Sequence, residues 1–441
     1  MFVWSVLKKK GCVEMNTLKA IMERGVFPVT FHNYSPWGSP AGRPEAVRDW
    51  LDLGITVGRM PVYDPAKDKK KDVLAILDAC AEAGMMCFVT DRMCSMGRMF
   101  ELKGDEGAYR RGLERSLKDF GDHPALFGYD VGDEPAHDKI MMAYRTYAIQ
   151  REMAPHLTPF MSCAGYSPGG AAWMGLRSYR RYIDRLVEEA DPVLLFHGSY
   201  ALCCGEPNAL DMHFLTYKMY NDAMLRHRLP LWTTLLCTGH YNYWCPSADE
   251  LGWQINISAA LGQKGLAWFN VYTYRPEENY RWPPINEFGE RTHTFEWLSY
   301  HLRRLQNTFG PTLLKLDWQQ AYHVGVARWG GFPNTIDSEY VKDVRVQVGE
   351  KFPVLVSEFT DKQGRPYVAV LNNSREGYGQ VRITWHGQPK VYKVGWQGEE
   401  SEPRKYFDDN WPANPAMETG PWMGPGQMEL YRIESDAPEM L

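Results

Sequence analysis

The sequence has no run of about 18 apolar residues, so nothing in it reads as a membrane span. It also lacks an excess of positive charge. Its 49 Lys and Arg face 54 Asp and Glu, a net charge of −5, and the pI near 6.2 offers no broad cationic surface to nucleic acid. The nine cysteines show no CxxC and no metal-type spacing, and Cys203 and Cys204, being adjacent, suit chelation poorly. They read as reduced cysteines of apolar segments. No metal and no cofactor is expected. FHNYSPWGSPAG, after the first strand candidate, does not fit GxGxxG, which argues against a nucleotide-binding open sheet. There is no internal repeat and no low-complexity linker. The start, MFVWSVLKKKG, puts its apolar run before the lysines and has no cleavage site. The expectation is a cytoplasmic protein, or a secreted one whose signal has been removed.

What is present is rhythm and rings. Aromatic residues make up 13% of the 441 residues, and flat rings serve sugar faces as well as cores. From residue 26 short apolar runs alternate with amphipathic stretches. The strand candidates are VFPVTFHNY (26–34), ITVGRMPVY (55–63), MMCFVTDR (85–92), ALFGYDVGDEP (125–135), TPFMSCAGY (158–166), DPVLLFHGSY (191–200), LPLWTTLLCTGH (229–240) and KGLAWFNVYTY (264–274). Ser247 and Glu250 read as a capping box for the helix before the last of these. Eight such alternations predict a parallel sheet closed into a (β/α)8 barrel over 26–314, behind an N-terminal extension, 1–25. From 315 to 441 the segments PVLVSEFTD, YVAVLNNS, QVRITWH and MELYRI alternate apolar with polar between turn residues, which predicts an antiparallel, β-sandwich-like domain.

Barrel enzymes carry their chemistry at the C-terminal strand ends. In chain order these ends offer His32 and Asn33, Arg59 and Tyr63, Asp91 and Arg92, Asp130 with Asp133 and Glu134, Tyr166, His197 and Tyr200, His240 and Tyr241, then Tyr272, Tyr274 and Arg275, with Trp268 as a ring of the core or a sugar platform. Asp130 is expected to pair with Arg59 or Arg92. Consecutive strand residues point to opposite faces, so Asp133 and Glu134 converge only if the strand end is irregular. Pro135 next to them favours such an irregularity.

The run FGYDVGDEP resembles the strand-4 signature of clan A glycoside hydrolases, in which Asn-Glu or Asp-Glu followed by Pro ends the strand. The longer context, RRYIDRLVEEADPVLLF, RHRLPLWTTLLCTGH, PSADELGWQINISAALGQKGLAWFNVYTY and NEFGERTHTFEWLSYHLRRLQNTFGPTLLKL, looks like barrels related to the family 42 β-galactosidases, over roughly residues 26 to 315. The resemblance implies a glycosidase acting on a carbohydrate, with Glu134 as proton donor and Asp133 in the place usually held by Asn. The clan keeps a nucleophilic Glu at the end of strand 7, and LPLWTTLLCTGHYNYW holds no acid. The second acid is therefore sought among Asp133, Glu206, Glu277 and Glu278. The family 123 N-acetylhexosaminidases also carry an adjacent Asp-Glu pair, and there the substrate's acetamido group attacks while the Asp orients it. Two alternatives stand beside this: a barrel that binds carbohydrate without catalysis, and a metal-dependent hydrolase using His32, Asp91 and His240.

Overall fold

The computed structural model describes residues 15–137, 139–167, 172, 174–175, 178–202, 208–275, 277–326, 329–403, 405–406 and 418–434. Eight short parallel strands alternate with helices: β1 (Val29–Phe31), β2 (Val57–Arg59), β3 (Met86–Val89), β4 (Leu126–Asp133), β5 (Phe160–Ser162), β6 (Leu195–Gly198), β7 (Leu231–Leu236) and β8 (Gln263–Phe269). They pair in two arcs, β2-β3-β4-β5 and β1-β8-β7-β6. The seams close where Thr56 donates to the Val29 carbonyl at 3.0 Å and Cys163 donates to the Phe196 carbonyl at 2.9 Å. The result is the (β/α)8 barrel that the alternation predicts.

Its interior is filled, as in other barrels of this size, by side chains from successive strands. Val57, Met86, Phe88, Phe127, Phe160, Phe196, Trp232 and Ala267 form one buried cluster, which the helix Thr17–Glu23 joins through Leu18 and Ile21. That helix is capped by Asn16 and fixed by Thr17, whose hydroxyl donates to the Phe127 carbonyl at 2.6 Å. It stands under the N-terminal ends of β4 and β5 and floors the barrel. Gly265 on β8 makes room for the largest ring of the cluster. A Cβ there would lie 2.3 Å from the Trp232 indole.

Two compact units emerge: Met1–Gly205 with Asp222–Cys245 and Gly265–Ser299, and Glu206–Asn221 with Pro246–Lys264 and Tyr300–Leu441. The first holds the barrel strands apart from the opening residues of β8, and with them the strand-end residues described below.

In the second unit, β9 (Leu316–Val324), β10 (Val341–Gly349), β11 (Val354–Asp361), β12 (Pro366–Asn372), β13 (Gly379–Trp385), β14 (Lys390–Val394), β15 (Glu400–Ser401), β16 (Lys405–Tyr406), β17 (Glu418–Thr419), β18 (Trp422–Met423) and β19 (Met428–Glu434) pair antiparallel. One sheet runs β15-β14-β19-β12-β11-β9, the other β10-β13-β17-β16 with β18 on β13. Alternate residues such as Val368, Val370, Tyr431 and Ile433 of the first sheet and Val381, Ile383 and Trp385 of the second bury into one shared core, which makes a sandwich. In the same unit Ser247 and Glu250 form the expected capping box of the helix Ala248–Ala260, whose Trp253 donates to Asn373 at 3.0 Å.

Cys80, Cys87, Cys94, Cys163 and Cys237 are buried free thiols and Cys245 is a half-buried one; Cys12, Cys203 and Cys204 lie outside the described residues. No helix among the described residues is long and apolar enough to cross a membrane.

Candidate active site

The end of β4 is irregular where its acids stand. Against β5, Asp130 pairs with Phe160 and Gly132 with Met161, so the register shifts by one residue between them. The extra residue resets the alternation and brings Asp133, three positions after Asp130, back to the inner side. Gly132 carries the distortion at φ 144, and Glu134 then leaves the pleat in the left-handed region at φ 44, its amide donating to the Ser162 carbonyl at 2.8 Å. Both carboxyls thus reach the same corner. Ser162 hydrogen-bonds Asp133, and the Ser162 hydroxyl and Glu134 Oε1 lie 4.0 and 3.8 Å from the point where Gly198 would carry a Cβ.

The two acids are held differently. Asp133 accepts from the Tyr34 hydroxyl at 2.7 Å and from Ser162, while burial raises its pKa. Among the described residues no side chain bonds the Glu134 carboxyl. Glu134 as a residue is exposed at the end of β4, while its carboxyl is largely desolvated. This desolvation, followed by the charge of Asp133, pushes its pKa up to about 7.

Beneath them lies a buried polar set. Arg59 Nη2 donates to Asp130 Oδ2 at 2.5 Å, and the guanidinium rests 4.3 Å from the Phe160 ring centre. Arg59 Nη1 lies 3.2 Å from His32 Nδ1. The Tyr34 hydroxyl lies 3.1 Å from the same Nδ1, and His32 Nε2 lies 3.2 Å from Thr234 Oγ1. Burial, then Arg59, holds the His32 pKa well below the ordinary histidine range, so the ring is neutral. Burial and Asp133 raise the Tyr34 phenol, which stays protonated as a donor. Burial raises the Asp130 pKa despite its Arg59 partner.

Above the acids the wall is aromatic. Tyr34 contacts Tyr274 with ring centres 5.0 Å apart, and Tyr274 contacts Tyr280 at 5.5 Å. His240 is stacked between Tyr280 at 5.3 Å and Tyr243 at 4.9 Å, with Phe269 at 4.8 Å. Tyr200 meets His240 at 6.3 Å, and its phenol pKa is raised by burial and by the neighbouring Glu134 and Asp133.

The strand-end candidates therefore divide. His32, Arg59, Asp130, Asp133, Glu134, Tyr200, His240 and Tyr274 are brought together by direct contacts or mutual charge. Asn33 is buried and ties β1 to β2 through the Arg59 carbonyl at 2.8 Å. Other candidates are engaged elsewhere, and for His197 and Trp268 the cause is that on a strand only every second residue points inward. Phe196 belongs to the interior cluster, so His197 is buried on the outer side of β6. Trp268 pairs in register with Phe31, which packs on Trp50, so Trp268 is a core ring and not a platform. Tyr272 accepts from Trp50 at 2.7 Å. Asp91 caps its own loop by accepting from Met93 at 2.8 Å, and Arg92 pairs with Asp64 and Glu101. Tyr166 packs edge-on against Tyr179 at 5.7 Å.

Of the loop acids, Glu278 is tied to Arg275 at 2.7 Å and to the Tyr241 hydroxyl at 2.9 Å, and those bonds lower its pKa. Glu277 is exposed in a turn. Glu206 lies outside the described residues. Among the described residues no three His, Cys, Asp or Glu side chains come together as metal ligands, so His32, Asp91 and His240 do not assemble a metal site. Tyr34, Ser162, Thr234, Tyr243, Phe269 and Tyr280 were not among the sequence candidates. The i+2 spacing from His32 signals Tyr34, whereas Tyr280 sits in a loop that has no periodicity to mark it.

No family model matches the chain, and no curated protein sequence matches it. Solved structures do. A glycoside hydrolase family 5 protein from Bacteroides vulgatus superposes with a TM-score of 0.56 at 11% identity, over 94% of this chain and 90% of that one. The fold is shared with glycoside hydrolases. An α-amylase from Geobacillus thermoleovorans gives 0.53 at 10% identity over 94% of this chain and 99% of that one. A β-galactosidase from Marinomonas ef1 gives 0.48 at 10% identity over 66% of this chain; the chain spans only 62% of that protein's length. At such identities the likeness is one of fold.

Proposed function

We propose that the protein is a glycoside hydrolase, of the barrel type related to the family 42 β-galactosidases, with Glu134 as general acid and Asp133 as its partner. One observation carries this reading. Adjacent carboxyls are folded into one corner, one fixed by two hydroxyls, the other open to the mouth and half-protonated near neutrality. A carboxylic acid of that kind gives its proton to the leaving glycosidic oxygen as the bond breaks.

The placement of Asp133 supports a substrate-assisted route. A second carboxylate that attacks, or that activates water, stands across the anomeric carbon, about 5–5.5 or 6.5–9.5 Å from the acid. Asp133 comes from the same strand end and the same side as Glu134. Strand β7 runs into Cys237 and Thr238 with no acid, and Glu278 is engaged on the rim. The group that attacks is then the 2-acetamido oxygen of an amino sugar. Asp133, fixed by Tyr34 and Ser162, accepts the acetamido N–H and aims that oxygen at the anomeric carbon.

The test is Glu134→Gln, assayed on natural glycosides and on aryl glycosides whose leaving group needs no proton. Turnover should drop about a hundredfold or more on the first and clearly less on the second. Equal loss on both would give Glu134 a structural role only. Asp133→Asn should match the first loss, while Glu277→Gln and Glu278→Gln should keep the hydrolytic step. A loss at Glu278 as large as at Glu134 would replace the assisted route with a two-carboxylate one.

A further inference from the structure

The loop after β7 holds a side chain that the acid pair does not use. Tyr241 adopts φ 47, a left-handed conformation that glycine takes freely and an aromatic residue seldom does. Such outliers persist where neighbours over-determine them. Here the Asn279 amide grips the Tyr241 backbone from both sides, its Oδ1 accepting the N–H at 2.5 Å and its Nδ2 donating to the carbonyl at 2.9 Å. The phenol donates to Glu278 Oε2 at 2.9 Å, and Glu278 Oε1 accepts from Arg275 at 2.7 Å. Gly239 and Arg281 close the arch with a reciprocal pair of backbone bonds at 3.0 and 2.8 Å. All this rigidity serves a ring that is 57% exposed. Burial does not explain why the ring is held.

We propose that Tyr241 is a stacking platform for a sugar unit beyond the one at Glu134, so that the site takes an oligosaccharide or polysaccharide chain and not a lone monosaccharide. The ring continues the wall that leads outward from the acids: it lies 5.5 Å from His240, which meets Tyr200, the tyrosine beside Glu134. A pyranose offers a C–H face to such a ring and hydroxyls at its edge, and the hydroxyl edge of this ring carries Glu278, which is itself bound to Arg275. Arg275 and Glu278 neutralise each other, which suits an uncharged sugar. The direction from the acids rests on the glycosidase reading; the binding itself does not.

The two are separated by measuring binding without turnover. In the Glu134→Gln background, chitotetraose, cellotetraose and mannotetraose and their monosaccharides are titrated by calorimetry against Tyr241, Tyr241→Phe and Tyr241→Gly. Glycine accepts the left-handed backbone, so Tyr241→Gly removes the ring and its bond to Glu278 without straining the loop, and the Tm of each variant checks that the fold is kept. The expected result is that at least one tetrasaccharide binds, that Tyr241→Gly weakens it about tenfold, the size of an aromatic contact, that its monosaccharide changes much less, and that Tyr241→Phe stays close to the parent. An unchanged tetrasaccharide affinity in Tyr241→Gly, an equal loss for tetrasaccharide and monosaccharide, or no binding of any tetrasaccharide overturns the platform. Turnover of the same sugars with Glu134 intact tests the hydrolase reading by itself, since a protein that binds them through Tyr241 and never cleaves them keeps the platform and loses the enzyme.

Discussion

Glu134 and Asp133 are joined by one peptide bond and still sit differently: burial raises both pKa values, but one carboxyl has hydroxyl donors and the other has only a neighbouring charge. For Glu134 the consequence extends to stability. Its folded pKa of about 7 lies above the ordinary 4.5, so between those values the folded state binds more protons than the unfolded one. The carboxyl therefore favours folding at the acid end of that window, and this contribution is lost as the pH rises through 7. Glu134→Gln should raise the Tm at pH 8 more than at pH 4 in thermal melts; the open side of the carboxyl keeps the effect small. A Tm difference equal at both pH values would show that the environment of the mouth does not act on this group. With Glu134 as the acid, activity should fall with rising pH about an apparent pKa near 7, and a rate profile flat from pH 6 to 8 would contradict that role. The Arg59–Asp130 pair is a separate case, buried at 2% and 5% exposure. Asp130→Ala leaves the guanidinium without its carboxylate and should cost about 3–5 kcal/mol in urea unfolding, with part recovered by adding Arg59→Met. Glu134, His32 and Arg59 were legible because an acid, an imidazole and a guanidinium at strand ends have few other uses. His197 misled because the sequence shows where a strand ends but not its phase, and on a strand of four residues one position decides whether a side chain faces the interior or a helix.

At the scale of the element, β4 shows why that phase is hidden. Its register slips against β3 between Cys87 and Phe88 and against β5 between Asp130 and Gly132, and neither slip alters the apolar pattern of the run. Gly132 and Pro135 were the only local cues that the strand end departs from a pleat. Elsewhere in the barrel Gly265 of β8 and Trp232 of β7 form a fitted pair. Gly265→Ala would push a methyl into the indole, with 2.3 Å to the nearest ring atom, so it should destabilise the barrel by about 1–3 kcal/mol by overpacking. Trp232→Phe combined with it should restore part of the loss. Chemical denaturation of the single and double variants measures this, and a neutral Gly265→Ala would mean that the interior repacks freely.

For the molecule as a whole, the fold class was legible because eight strand-helix repetitions over-determine a barrel even when single boundaries are misjudged, and period-two runs between turns can hardly be anything but antiparallel strands. The site was less legible since its aromatic wall comes from loops, where no period marks a residue. With a carboxylic acid as proton donor, dialysis against a chelator should leave hydrolysis unchanged; loss of activity restored by a divalent cation would reopen the metal-dependent alternative. The helix that floors the barrel has a consequence for synthesis. Leu18 and Ile21 leave the ribosome about 250 residues ahead of Ala267, on the far side of the same cluster, a lead of roughly 10–50 s at ordinary elongation rates. Thr17 bonds the Phe127 carbonyl and Thr158, so the nascent chain has a seat for the helix once the fifth strand has emerged, and the remaining strands then close over a floor that is already laid.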